Sequence, residues 1–201
     1  MPNWPTVRAV DFGYHHPACV WFQLSPEGQP FVVAELVPAD LTTEEFARAI
    51  LSREAAWHLA MAPQATYGDP AGRSTNVQTA ESEVEVLRRL GLGFTSKPSG
   101  VRDGCVRIMD MLADAALPLV VSTACPWTIE ALSCVAPDKH RPDVYDETSP
   151  YTHVLDALRY WAVNRGAVSV TPWALPPVTR RPSGDTHAPS WNVRGRLPSP
   201  Y

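Results

Sequence analysis

Residues 7–13 read VRAVDFG, an apolar run broken by one arginine, closed by an acid and stopped on glycine. The pattern predicts a short strand ending at Asp11, with a turn behind it. Two further strand-like runs follow: ACVWFQLS at 18–25 and FVVAELV at 31–37. Between them stands PEGQP, whose prolines, glycine and polar residues suit a hairpin connection. Three strands in immediate succession are most economically paired antiparallel in the order 1-2-3.

Downstream the period changes. TTEEFARAILSREAAWHLA (42–60) opens with a capping box, Thr42 and Glu45, and carries Phe46, Ile50, Ala56 and Leu59 among its apolar positions. QATYGD (64–69) predicts a short buried strand that again ends in an acid, Asp69, followed by the loop PAGRS. TAESEVEVLRRLG (79–91) predicts a helix stopped by Gly91. GFTS (93–96) is a brief strand candidate. SGVRDGCVRIMDMLAD (99–114) predicts a helix with Val101, Cys105, Ile108, Met109 and Leu112 on one side, slightly weakened by Gly104. LPLVVS (117–122) is a fifth strand and PWTIEALSCVA (126–136) a short helix. After the polar loop PDKHRPDVYDET, Ser149 is expected to cap a last helix with Pro150 at its first position. Three leading strands followed by alternating helices and strands predict an α/β domain: a mixed central sheet of about five strands with helices on both faces. The expected domain runs over 1–166, and the proline-rich remainder, 167–201, reads as a flexible tail.

Composition narrows the function classes. The chain has 201 residues, 45% of them hydrophobic, enough for one real core. A net charge of −4 does not suggest a strongly basic nucleic-acid binder, yet a site built of carboxylates would repel phosphate until cations arrived. The four cysteines are scattered without a C-x-x-C pair, which disfavours a zinc knuckle and suits reduced, buried thiols. No run approaches 18 apolar residues, and the first residues lack the pattern of a signal peptide. Neither a P-loop nor a dinucleotide-binding glycine fingerprint occurs.

Chemistry points to the strand ends. Asp11 and Asp69 each close a strand before a glycine or proline turn, and neighbouring strands would bring both to one edge of the sheet. On the last helix His153 and Asp156 lie about 60° apart, a second wall for the same edge. Carboxylates gathered there would repel each other, and Mg²⁺ or Mn²⁺ with oxygen ligands is the natural remedy. A nitrogen ligand such as His153 is tolerated more readily by Mn²⁺. Each acid also has a local alternative: Asp11 and Asp69 as turn acids, His153 bonded to a backbone carbonyl, Asp156 paired with Arg159 or Arg102.

AVDFG, TYGDPAG, SGVRDGCVRIMDML, PWTIEALSCVA and HVLDALRYW resemble, in order and approximate spacing, the nuclease domain of tailed-phage large terminase subunits over roughly residues 6–166. The resemblance implies an RNase H-like fold and a two-metal endonuclease, using Mg²⁺ or Mn²⁺, that cuts double-stranded DNA during genome packaging and leaves 5′-phosphate and 3′-hydroxyl ends. It assigns a metal-bridging role to Asp11, a metal ligand to Asp69, and the last-helix ligand to Asp156 with His153 beside it. Many members carry Asp-His where this chain has Thr152-His153, so Asp143, Asp146 or Glu147 would have to substitute. The implied setting is the cytoplasm of an infected bacterium, with the portal, the small terminase subunit or a separate packaging ATPase as partners and no membrane. The ATPase segment of such subunits has no counterpart in these residues, so the expectation concerns cleavage and not translocation. Arg73, Lys97, Arg102 and Arg107 are candidate DNA contacts. His15 and His16 are weaker ones. A junction resolvase or transposase-like nuclease would use a similar constellation, and a non-catalytic DNA- or portal-docking module could keep the same fold.

Overall fold

The computed structural model describes residues 4–12, 15–57, 62–69, 82–93, 95–98 and 100–165. The tail 167–201, Leu59 and the whole stretch from 70 to 81, Arg73 included, therefore lie outside the described residues. β1 (Thr6–Asp11), β2 (Ala18–Leu24) and β3 (Pro30–Leu36) pair antiparallel in sequence order. Gly28 turns the β2–β3 hairpin with φ +92°, a backbone that disfavours any side chain. β4 (Thr66–Gly68) adds parallel to β1, and β5 (Val120–Val121) parallel to β3, giving a mixed sheet in the order β4-β1-β2-β3-β5. Of the expected strand at 93–96, Phe94 lies outside the described residues, and among those described Thr95 forms an isolated parallel bridge with Tyr67.

The two faces of the sheet carry separate cores. On one, Val10, Cys19 and Trp21 pack with Phe46, Ala47 and Ile50 of α1 (Thr43–Ala55) and Leu87 of α2 (Glu83–Arg89). On the other, Val7, Ala9, Val20, Phe22 and Val32 meet α5 (Thr152–Asn164), where Phe22 and Trp161 stack with ring centroids 4.2 Å apart. α3 (Val101–Ala113) and α4 (Pro126–Cys134) flank α5 on that side. Among the described residues no helix is long and apolar enough to cross a membrane.

Several helix ends differ from the local pattern. α1 keeps its Thr42–Glu45 capping box but stops at Ala55, short of the expected Leu59. α2 begins later than expected because Ser82 and Glu85 form a second capping box, satisfying two orphan N–H groups. α5 starts at Thr152, with no side-chain cap; Ser149 accepts from Tyr151 N in the preceding turn and does not cap the helix. α4 is capped across the fold: its N-cap Cys125 contributes no side-chain bond, and Glu35 of β3 accepts from Trp127 N (2.7 Å), Thr128 N (2.8 Å) and Thr128 Oγ1 (2.7 Å). On α3 the apolar stripe is only partly covered, since Ile108 is buried while Met109 and Leu112 are exposed. All four cysteines are free; Cys19 and Cys125 are buried, whereas Cys134 is exposed.

Candidate functional site

The site begins with the two-residue period of β1. Val7 and Ala9 point into the α5-side core, and Asp11 follows them on the same face. Arg8 and Val10 point the other way. The first turn of α5 brings His153 over the strand end, and its Nδ1 lies 2.5 Å from Asp11 Oδ2. Asp11 is only 6% exposed. Burial, reinforced by the charges of Asp156 and Asp69 and opposed by the His153 hydrogen bond, pushes its carboxyl up to about 6. The bond to Asp11 likewise raises His153 above its usual range, against the lowering effect of burial.

Asp69 reaches the same edge through strand register. Val10 is paired with Gly68 in the parallel β1–β4 ladder, so the next residue of each strand, Asp11 and Asp69, leaves the sheet on one side. A fourth acid, Glu83 at the start of α2, also feels this edge: burial first, then the charges of Asp11 and Asp69, push it up to about 7. Sequence reasoning did not single out Glu83. Its neighbour Ser82 signals a helix start, but nothing local ties that start to Asp11.

Asp156 sits on the same α5 face, one turn beyond His153, and its field reaches Asp11. One of its oxygens is already committed. Oδ1 accepts from Tyr145 Oη (2.5 Å), Arg159 Nε (2.8 Å) and Arg159 Nη2 (2.5 Å). Burial and the Asp156 charge push the Tyr145 phenol well above its usual range, so it stays a donor. Of the two candidate arginines, Arg159 takes the carboxylate, and Arg102 pairs with Asp143 at 3.1 Å instead.

The three acids expected to substitute at Thr152 each have another side-chain partner. The Thr152 hydroxyl donates to Ser149 O (2.6 Å) and Glu147 O (3.2 Å). Asp143 is engaged by Arg102, Asp146 accepts from Thr148, and Glu147 accepts from Arg141. His15 meets Asp40 at 2.9 Å, and His16 lies against the Trp127 ring. Lys97 and Arg107 do come together, lining a cleft of about 560 Å³ with Asp103 and Asp110.

These donors fit hard divalent cations in their chemistry, being carboxylate oxygens: burial first, and neighbouring negative charge second, make Asp11 and Glu83 hold their protons more tightly than usual. Asp11, Asp69, Glu83 and Asp156 supply oxygens. His153, with Nδ1 turned to Asp11, leaves Nε2 for a ligand, a carboxylate–histidine arrangement common at metal sites. Among the described residues no three His, Cys, Asp or Glu side chains converge closely enough to hold one ion.

No family model matches the chain, and no curated protein matches it in sequence. Solved structures match its fold. The large terminase of a thermophilic bacteriophage, solved in complex with ADP, superposes with a TM-score of 0.67 at 18% identity over 82% of this chain. The chain spans 40% of the length of that protein. The nuclease domain of the P22 large terminase aligns with a TM-score of 0.63 at 16% identity, covering 83% of this chain and 84% of that domain. The large terminase nuclease domain of bacteriophage SPP1, solved with bound Mn, gives 0.52 at 16% identity over 81% of this chain and 86% of that one. The chain thus has the RNase H-like fold of large terminase nucleases, as its motifs implied.

Proposed function

We propose that this chain is a divalent-metal-dependent endonuclease that hydrolyses double-stranded DNA during packaging of a phage genome in an infected bacterial cell. The observation that carries the reading is Asp11. It is a buried strand-end carboxylate bonded to His153 and lies in the field of Asp69, Asp156 and Glu83, on the fold of terminase nucleases. The Mn bound by the SPP1 domain supports the choice of Mn²⁺ or Mg²⁺.

In this reading Asp11, Asp69 and Asp156 hold two ions, with His153 Nε2 as an auxiliary ligand and Glu83 at the margin. Bound there, the ions supply a nucleophilic water at neutral pH and neutralise the leaving 3′-oxygen. The chain's own contribution is positional. His153 donates to Asp11 Oδ2 and leaves Oδ1 uncommitted to it, while burial beneath α5 limits water around the carboxylate. Lys97 and Arg107 are suited to backbone phosphate, although Asp103 and Asp110 temper their field; Arg102, tied to Asp143, is a weaker candidate. The portal, the small terminase subunit or a separate packaging ATPase are the candidate partners of this activity.

One observation favours a docking module that has kept the fold without cleaving: Asp156 Oδ1 is saturated by three donors. Plasmid cleavage with Mn²⁺, Mg²⁺ or EDTA separates the two. The nuclease reading expects nicking and linearisation with either ion, none in EDTA, and loss of activity in Asp11→Ala, Asp69→Ala and Asp156→Ala. Cleavage that survives EDTA or all three substitutions would sink it.

A further inference from the structure

The saturated oxygen of Asp156 has a structural origin that extends to three other residues. Arg159, one turn further along α5, is 6% exposed and lies with its guanidinium 4.4 Å from the centre of the Tyr160 ring. Its aliphatic stem runs across α3 at Gly104. A Cβ added there would sit 1.9 Å from Arg159 Cγ and 2.5 Å from Cδ, far inside van der Waals contact. Gly104 is therefore the point at which α3 allows Arg159 to fold back along α5 and reach Asp156. Tyr145, from the loop before α5, closes on the same oxygen from another direction.

Three donors on one carboxylate oxygen fill its lone pairs and fix the plane of the group, leaving Oδ2 as the oxygen available to a ligand. Resting on the nuclease reading, we propose that Arg159 and Tyr145 are positioning residues that present Asp156 Oδ2 as a monodentate ligand, with Gly104 as the glycine their packing requires. A carboxylate held this way keeps one orientation in the unliganded protein. Ion binding then incurs no ordering of that side chain, as with the outer hydrogen bonds of other metal-binding carboxylates.

The test is Mn²⁺ binding to the DNA-free protein, followed by the electron paramagnetic resonance signal of free Mn²⁺, alongside plasmid cleavage. Tyr145→Phe removes one donor with little change of shape, and Arg159→Lys keeps the charge while losing the two-bond grip. Each is expected to raise the half-saturating Mn²⁺ concentration roughly tenfold. In an Asp156→Asn background, Tyr145→Phe should have no further effect, which a general loss of packing would not reproduce. Gly104→Ala, by displacing Arg159, should follow Arg159→Lys. Wild-type protein that binds Mn²⁺ and cleaves, with both variants indistinguishable from it, overturns the positioning role alone. Wild-type protein that neither binds Mn²⁺ nor cleaves overturns the nuclease reading and this proposal with it. A Tyr145→Phe effect that persists at full size in Asp156→Asn also overturns the proposal.

Discussion

The two faces of the central sheet bury charge in opposite ways. On the α1 face, Arg8 of β1 meets Glu54 at 2.5 and 2.6 Å, donates from Nε to Thr66 Oγ1, and shares Glu54 with the indole N–H of Trp21. Arg8 and Glu54 thus each have a counter-charge. Three residues further along the same strand, toward the α5 face, Asp11 meets His153 and Asp156 meets Arg159, while Glu83 of α2 feels the charges of Asp11 and Asp69; burial above all raises the Asp11 carboxyl to about 6 and Glu83 to about 7. A matched buried pair holds a fold together. In the nuclease reading, divalent cations would bring further positive charge to the acids around Asp11.

Crossing the two sites with substitutions gives the largest effects. In the nuclease reading, Asp11→Asn should lower plasmid cleavage by at least about 100-fold, because a metal-ligating carboxylate would be worth several kcal/mol in the transition state. Its melting temperature should stay level or rise, since a buried negative charge is removed. Glu54→Gln should do the reverse, costing about 3 kcal/mol of stability by leaving Arg8 unpaired, with the specific activity of the folded fraction unchanged. Denaturant titration and cleavage on the same preparations would expose any mixing of the two outcomes.

A smaller effect lies in the pH dependence of metal-free stability. The Asp11 carboxyl titrates near 6 in the folded chain against an ordinary 3.8, so the folded state holds its proton more tightly. Stability should therefore fall as pH rises from about 4 to 6, with Glu83 extending the decline from 4.5 towards 7. Thermal melts in EDTA across this range should slope downward, and Asp11→Asn should flatten the lower part. A flat wild-type profile would place the α5 face in the same matched class as Arg8–Glu54. Smallest of all, Lys97→Ala and Arg107→Ala should each reduce the salt slope of DNA binding by about 1, leaving cleavage at saturating DNA nearly intact.

Much of this architecture was legible locally. Alternation along 7–11 and the acids at 11 and 69 require only β-strand geometry, and both capping boxes stand in the sequence, although the helical pattern of 79–91 hides the Ser82–Glu85 start. The face shared by His153 and Asp156 follows from helical pitch. Other features had no local signal. Gly104 reads as a weak point in a helix, yet it is a clearance for Arg159. Glu35 reads as a stray acid in a strand, yet it caps α4 some 92 residues away. Met109 and Leu112 have the spacing of a buried stripe, but α5 covers only part of α3.

The sequence by itself determined which segments become strands and helices, and which acids stand at their ends. Those choices depend on neighbours within a few residues and on the two periods of the backbone. Only the tertiary structure decided that Arg159 takes Asp156 while Arg102 turns to Asp143, that Glu83 comes within the field of Asp11, and that Thr152 spends its hydroxyl on the Ser149 and Glu147 carbonyls. Partner choice among charged side chains depends on distances across packed elements, and a linear pattern does not contain them.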